Sequence, residues 1–391
     1  MDPLSWILGF PPSEVLFLEE ILGRRSLHCR DGRRDRFREL LSSEVLDRIL
    51  GTYGLTPRHI RVVRFDRPVD GSEYERGGLA DPRRVARLFA EGGTVIFDAL
   101  HDRHEPLRRL CAAFSRQTGA RTQANIYLTP PHAQGFRHHW DTHDVFVMQI
   151  EGSKRWRLYE GGEDLPVIGQ QFDPETHEAG PVVAEFMLTA GDVLYLPRGV
   201  MHAAESGEET SLHITLGLIA YTWSEFLGQC LGELTLRSSR WRENLPFGIG
   251  ATGADFGEIR QQLIGRIAAL PDELDVEAVL SARLDEVGAA FRPCASNYLS
   301  QATSAAESLS PTDVIRPRPD LRSRAEIRDG QVVVIAAGRE LEFPEAAAGT
   351  VRSVLEGGPQ TAGSLDRSLD WPGRKIVLGT MIREGILEVI G

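Results

Sequence analysis

From Asn125 to about Tyr221 the chain is a succession of short apolar runs, each cut off by glycine, proline or aspartate. The runs are NIYLT, DVFVMQI, KRWRLYE, AEFMLT, DVLYLP and SLHITLGLIAY. Many short strands at this spacing imply a sandwich or a barrel, so the middle of the molecule is expected to be mainly β.

The flanks read differently. Residues 1–50 look helical, with Pro11-Pro12-Ser13 breaking two short helices apart. IRVVRFD (60–66) and TVIFD (94–98) read as strands around a helix over Pro82–Ala90, and a helix over Glu105–Ser115 follows. Past Trp223 the strand signal stops, and residues 223–237, 257–270 and 275–290 have helical periodicity, with Pro246–Gly253 as a connector. The proline- and arginine-rich stretch 311–323 reads as a linker to a small unit over 324–391. In that unit a strand region (EIRDGQVVVIAAG) precedes three helices, PEAAAGTVRSVLEGG, TAGSLDRSL and RKIVLGTMIREG, and a closing strand ILEVI. That order implies a winged-helix module.

A length of 391 residues accommodates two or three domains. No run of eighteen uncharged apolar residues occurs, and the N-terminus lacks the basic region and cleavage site of a secretion signal. Four cysteines, Cys29, Cys111, Cys230 and Cys294, lie far apart with no CxxC pair, which argues against a disulfide framework and a cysteine zinc site. The expected compartment is a reducing cytoplasm. A net charge of −12 disfavours nonspecific nucleic-acid binding, and the cluster Arg30, Arg33, Arg34, Arg36 and Arg38, broken by Asp31 and Asp35, reads as a solvated mixed-charge face.

The densest chemistry lies in QGFRHHWDTHDVFVMQIEGSKRWRLYE, residues 134–160. An Fe(II) oxygenase needs two imidazoles and one carboxylate on one face, with three positions left open. Positions i and i+2 of a strand point the same way, so His139 and Asp141 can reach one metal. Of the eleven histidines, His139 alone has a carboxylate two residues on, which fixes the register despite His138 beside it. The third ligand is expected from a later strand that returns alongside, and His202, after GDVLYLPRGVMH, suits that role. His213, on SLHITLGL, reads as a satisfied core histidine rather than a metal ligand, and His138 and His143 as outer or surface residues.

These residues resemble the JmjC oxygenases, specifically their ribosomal oxygenase branch, from DPLSWILGF through the C-terminal unit and above all in NIYLTPPHAQGFRHHWDTHDVFVMQIEGSKRWRLY. The resemblance implies a cupin-like double-stranded β-helix (jelly roll) over residues 1–222, a helical dimerisation domain over 223–310 and a winged helix over 324–391. It implies Fe(II) on His139, Asp141 and His202, with 2-oxoglutarate and O₂ as cosubstrates. Lys154 in EGSKRW is implied to hold the far carboxylate of 2-oxoglutarate and Tyr127 to assist it. Burying that carboxylate in an apolar barrel requires a cation and a hydroxyl donor. Asn125, on the same face as Tyr127, is a further candidate contact to cosubstrate or substrate. The implied activity is hydroxylation of an arginine or histidine side chain of a large-subunit ribosomal protein by a homodimer. Membrane attachment and direct DNA reading are not expected. Action on another protein or a peptide natural product, a cupin metalloenzyme independent of 2-oxoglutarate, and a non-catalytic scaffold stand as alternatives.

Overall fold

The computed structural model describes residues 2–9, 16–64, 66–170, 172–245, 256–290, 297–319 and 321–390. Its centre is a pair of facing sheets. The larger has eight strands in the order Leu27–Cys29, Val193–Leu196, Asp144–Glu151, Ser211–Ile219, Arg121–Thr129, Thr94–Phe97, Ile60–Arg64 and Arg67–Pro68. The smaller runs Val182–Thr189, Ser153–Tyr159, Met201–Ser206. Single bridges Gln134–Glu205 and His139–His202 add the 134–139 segment to the smaller sheet beyond Met201–Ser206. From Arg121 to Ile219 the chain thus passes back and forth between the two sheets, staying in the smaller one only for the paired strands Ser153–Tyr159 and Val182–Thr189, which is the double-stranded β-helix.

The alternation of side chains explains why the central strands read as unbroken apolar runs. In Asp144–Glu151, Phe146 and Met148 join the large core under the N-terminal helices, whereas Val145 and Val147 join the core inside the barrel with Trp156, Leu158, Leu188, Leu194 and Leu196. Both faces of the strand are covered, so every second residue is apolar on each side. Along Ser211–Ile219, Leu212, Ile214, Leu216 and Leu218 face the outer core. That places His213, Thr215 and Gly217 on the inner face. This polarity on an otherwise apolar strand marks the cavity.

The N-terminal region differs from the all-helical expectation. Pro3–Leu8 is a helix capped by the Asp2 carboxylate, which accepts from the Leu4 and Ser5 N–H groups. Leu27–Cys29 is instead a strand at the margin of the larger sheet, paired with Val193–Tyr195. Pro11-Pro12-Ser13 lies outside the described residues. The arginine cluster is not a uniformly solvated face: the Arg36 guanidinium is buried, paired with Asp31, and donates to the Trp6 and Ile7 carbonyls at the end of the first helix. Leftover carbonyls at a helix C-terminus are satisfied by such a cation.

Beyond the barrel, helices span Trp223–Arg237, Phe256–Glu273 and Val276–Ala289, close to the periodicity read from the sequence. The first is opened by a capping box between Thr222 and Glu225. The connector Pro246–Gly253 and Cys294 lie outside the described residues. Two expectations for the C-terminal region are corrected. Within the supposed linker, Val314–Pro317 is the central strand of a sheet, between Gln360–Thr361 and Leu387–Ile390. Its Ile315 is fully buried, and Arg316 and Arg318 pair with Glu388, so the arginines that suggested a solvated linker are internal partners. TAGSLDRSL forms turns rather than a helix. Ser364 and Asp366 spend their side chains on the local backbone at Thr361 and Ser368, and such bonds compete with the helix ladder. Two helices therefore remain here, Ala348–Glu356 and Trp371–Arg383, beside the sheet Ser323–Arg328, Gln331–Ala336, Arg339–Pro344.

One turn of the barrel is sterically exact. Gly199, between Val193–Leu196 and Met201–Ser206, has φ +83°, and a Cβ there would sit 1.9 Å from the Glu163 carbonyl oxygen. Gly32 has a similar φ of +77° with no neighbour within 4 Å. Both alanine substitutions incur the left-handed backbone cost of about 1–2 kcal/mol. Gly199→Ala should lose at least about 1 kcal/mol more from overpacking. Urea unfolding of the two variants measures the difference, and equal midpoints would refute this steric account.

Candidate metal centre

The site begins with one backbone pairing. His139 N–H donates to the His202 carbonyl at 3.0 Å and His202 N–H donates to the His139 carbonyl at 2.8 Å. Two residues that exchange both bonds across an antiparallel pair project their side chains to the same face. Asp141 follows two residues later, outside any strand, and its carboxylate joins the two imidazoles. Its carbonyl accepts the Gly199 N–H at 2.9 Å, which ties the turn before His202 to the segment that carries the other two groups. The three side chains offer one ligand atom each, all within 4.8 Å of one another, and among the described residues no other group of this kind occurs.

Both imidazoles are oriented by the same local device. His139 Nδ1 lies 2.9 Å from the Arg137 carbonyl and His202 Nδ1 lies 2.9 Å from the Val200 carbonyl. A carbonyl can only accept, so Nδ1 carries the proton in each ring and the Nε2 lone pair is left free for a metal. Trp156 stacks against His202 with centroids 5.7 Å apart. Burial pushes His202 down to about 4, His139 adds to that, and Asp141 opposes it. For Asp141 burial acts to raise the carboxyl, but the imidazoles of His202, His139 and His143 outweigh it and hold the group below its usual value. At neutral pH His202 and Asp141 are thus a neutral donor and an anion, the forms a divalent metal needs.

The cavity in front of these groups is lined by Tyr127, Phe136, Val145, Val147, Lys154, Trp156, His213 and Thr215, among others. Lys154 is 4% exposed, and its Nζ donates to the Thr129 hydroxyl at 3.0 Å. No carboxylate among the described residues pairs with it, and burial alone lowers it to about 7. A buried ammonium without a counter-charge is costly unless an anion joins it. Arg155, one residue on, faces outward toward Glu185 and Glu205. Tyr127 is held protonated by burial, with Asp141 adding to the effect, and lies flat on His213 at 4.9 Å with an interplanar angle of 2°.

Other candidates fall elsewhere. Asn125 does not line the cavity; its side-chain oxygen accepts the Ala99 N–H at 2.9 Å. His213 is in the cavity wall, neutral through burial, with Nδ1 lacking a hydrogen-bond partner among the described residues. His138 faces Tyr159 and Phe172, and His143 sits over Gly217. The sequence reading passed over Thr129 and Trp156. Each stands two residues from a residue it did select, Tyr127 and Lys154, so strand periodicity carried the signal.

Residues 99–226 match the family model described as the JmjC domain. The bifunctional lysine-specific demethylase and histidyl-hydroxylase NO66 of Drosophila melanogaster is 30% identical over 304 residues, covering 70% of this chain and 45% of the fly protein. The NO66 of Dictyostelium discoideum is 30% identical over 282 residues, covering 66% and 53%. The chain therefore spans about half the length of these curated relatives. Among solved structures, YcfD, a ribosomal oxygenase from Escherichia coli in complex with cobalt and succinic acid, aligns over 96% of this chain and 97% of its own with a TM-score of 0.55 and 18% identity. Its complex with cobalt and 2-oxoglutarate aligns with a TM-score of 0.53, also at 18% identity. These structures share the fold. The domain match covers the segments that carry the two histidines and the aspartate, so residues 99–226 form a JmjC domain.

Proposed function

We propose that the chain is an Fe(II)- and 2-oxoglutarate-dependent oxygenase that hydroxylates a side chain of a protein substrate. The observation that carries this reading is the pairing of a two-histidine, one-carboxylate face with a buried cation that has no counter-charge. His139, Asp141 and His202 would hold Fe(II) on one side and leave the other positions to ligands. The ammonium of Lys154 would take the far carboxylate of 2-oxoglutarate, with the Tyr127 hydroxyl as a further donor and Thr129 holding the lysine in place. Trp156, Val145 and Val147 keep water from the inner wall. Iron with 2-oxoglutarate and O₂ supplies the oxidising power to convert a C–H bond to an alcohol, with succinate and CO₂ as coproducts.

The substrate reading is an arginine or histidine side chain of a large-subunit ribosomal protein. The names of the relatives support it: histidyl-hydroxylase for NO66 and ribosomal oxygenase for YcfD. Charge supports it as well. Residues 158–197 carry eight acidic residues and no lysine or arginine. Phe172 of this stretch lies 6.4 Å, ring to ring, from His139, so an acidic segment borders the metal face. Such a border attracts a basic protein partner. Helices over 223–310 expose Trp223, Leu236 and Phe256, which suits a homodimer interface. The unit over 324–391 is read as a packing or docking module rather than a DNA reader.

Three outcomes follow from these roles. Protein loaded anaerobically with Fe(II) and then exposed to air should form succinate from 2-oxoglutarate, faster with a ribosomal fraction, and His139→Ala should not; iron-replete protein without turnover would refute the oxygenase reading. Lys154→Ala should keep the metal but weaken 2-oxoglutarate by about 10–100-fold, the scale of a lost charged hydrogen bond, whereas His139→Ala should lose the metal itself. Equal metal loss in both, measured by equilibrium dialysis, would contradict the division of labour. The third concerns pH. Free Lys154 is depressed to about 7, and a bound dianion raises it, so binding takes up a proton above that pH. Affinity should therefore fall as pH rises from about 7, and calorimetry in buffers of different ionisation heat should register the uptake; a pH-independent affinity between 6.5 and 9 (roughly the window set by this shift) would argue against it.

A further inference from the structure

The two histidines of the site are held to different degrees. His202 is 5% exposed, lies within Met201–Ser206 and pairs with Leu158 of the neighbouring strand. His139 is half-buried, and its segment belongs to no continuous strand. On one side the segment is tied where Gln134 bridges Glu205, and on the other where His139 bridges His202. Between those ties, among the described residues, the backbone of residues 135–138 makes one hydrogen bond outside its own segment: Arg137 N–H donates to the Asp66 carboxylate at 2.9 Å. The other oxygen of the same carboxylate lies 3.0 Å from Arg137 Nε. Asp66 thus grips both the main chain and the side chain of the residue whose carbonyl orients His139 Nδ1 at 2.9 Å.

Asp66 comes from far away in sequence. It directly precedes Arg67–Pro68, the outermost strand of the larger sheet, and has φ +63°, a left-handed conformation that a non-glycine residue adopts at a cost. A carboxylate kept in that conformation and aimed across to the 134–139 segment is a strut between the two sheets.

We propose that Asp66 is a positioning residue for the metal centre, fixing through Arg137 the carbonyl that turns His139 Nε2 toward the metal. It touches neither metal nor substrate. Its removal should loosen one ligand of three while the barrel stays folded. Partners that orient a ligating histidine typically account for about 10–100-fold in metal affinity. The proposal rests on reading His139, Asp141 and His202 as metal ligands.

The test is a Co(II) titration of apo protein, followed by the visible absorption of the bound ion, on wild type, Asp66→Gly, Asp66→Ala and His139→Ala, with thermal midpoints measured on each. Glycine relieves the positive φ while deleting the carboxylate, so stability and ligand orientation move in different directions. The expected result is a Co(II) affinity about tenfold weaker and an altered absorption band for Asp66→Gly, at a midpoint equal to or above that of Asp66→Ala. Wild-type affinity and spectrum in Asp66→Gly would overturn the proposal. Affinity losses in the two Asp66 variants that follow their losses of midpoint would also overturn it, because they would report general loosening. His139→Ala separates the premises: if it binds Co(II) as tightly as wild type, the metal-site reading itself fails, whatever the Asp66 variants do.

Discussion

Everything at this site rests on the exchange of two backbone hydrogen bonds between His139 and His202. Side chains on an antiparallel pair have only two directions to choose from, and a shift of one residue would send one imidazole into the opposite face. Once this pair is set, Asp141 joins the same group from two residues on, and the Gly199 N–H closes the turn onto the Asp141 carbonyl and holds it there. Met201–Ser206 in turn lies against Ser153–Tyr159, which supplies its ladder partners and, in Trp156, the ring stacked on His202. The same neighbour presents Lys154 to the cavity from the far side. The two-histidine, one-carboxylate face and the buried Lys154 ammonium are therefore two consequences of one sheet.

The larger sheet supplies what the smaller cannot, an apolar wall with polar residues at chosen points. Its central strands are covered on both sides, so substitutions to polar groups there are tolerated only where the cavity offers a partner. His213 shows the cost of that rule. It is buried, neutral and stacked on Tyr127, with one ring nitrogen lacking a hydrogen bond among the described residues.

Much of this was legible because the barrel strands carry their period in apolar and β-branched residues. NIYLT, DVFVMQI, KRWRLYE and SLHITLGLIAY supply strands, whereas His139 and Asp141 come together on a segment that holds only an isolated bridge. Met201–Ser206 was not visible as a strand, because MHAAES offers small and polar residues and owes its conformation to pairing with Ser153–Tyr159. Leu27–Cys29 was hidden by its three-residue length. The 311–323 segment misled for a chemical reason: prolines and arginines normally signal solvent, yet Arg318 is 1% exposed, stacked 4.1 Å over Tyr298 and paired with Glu388. Asp66 left no trace at all, since its partner lies 71 residues away and no local pattern links them.

The strand Val314–Pro317 also imposes a timetable. It occupies the middle of its sheet, and one of its two partners, Leu387–Ile390, follows it by as much as 390 − 314 = 76 residues. At about 5–20 residues per second, synthesis leaves that flank unmatched for roughly 4–15 seconds. Ile315 and the Arg316 and Arg318 side chains must wait for Leu387 and Glu388 before they are covered. The barrel, whose strands end at Ile219, can close long before this. The chain is thus built to mature in order, with the metal-binding half formed while the C-terminal unit is still an open edge in need of its last strand.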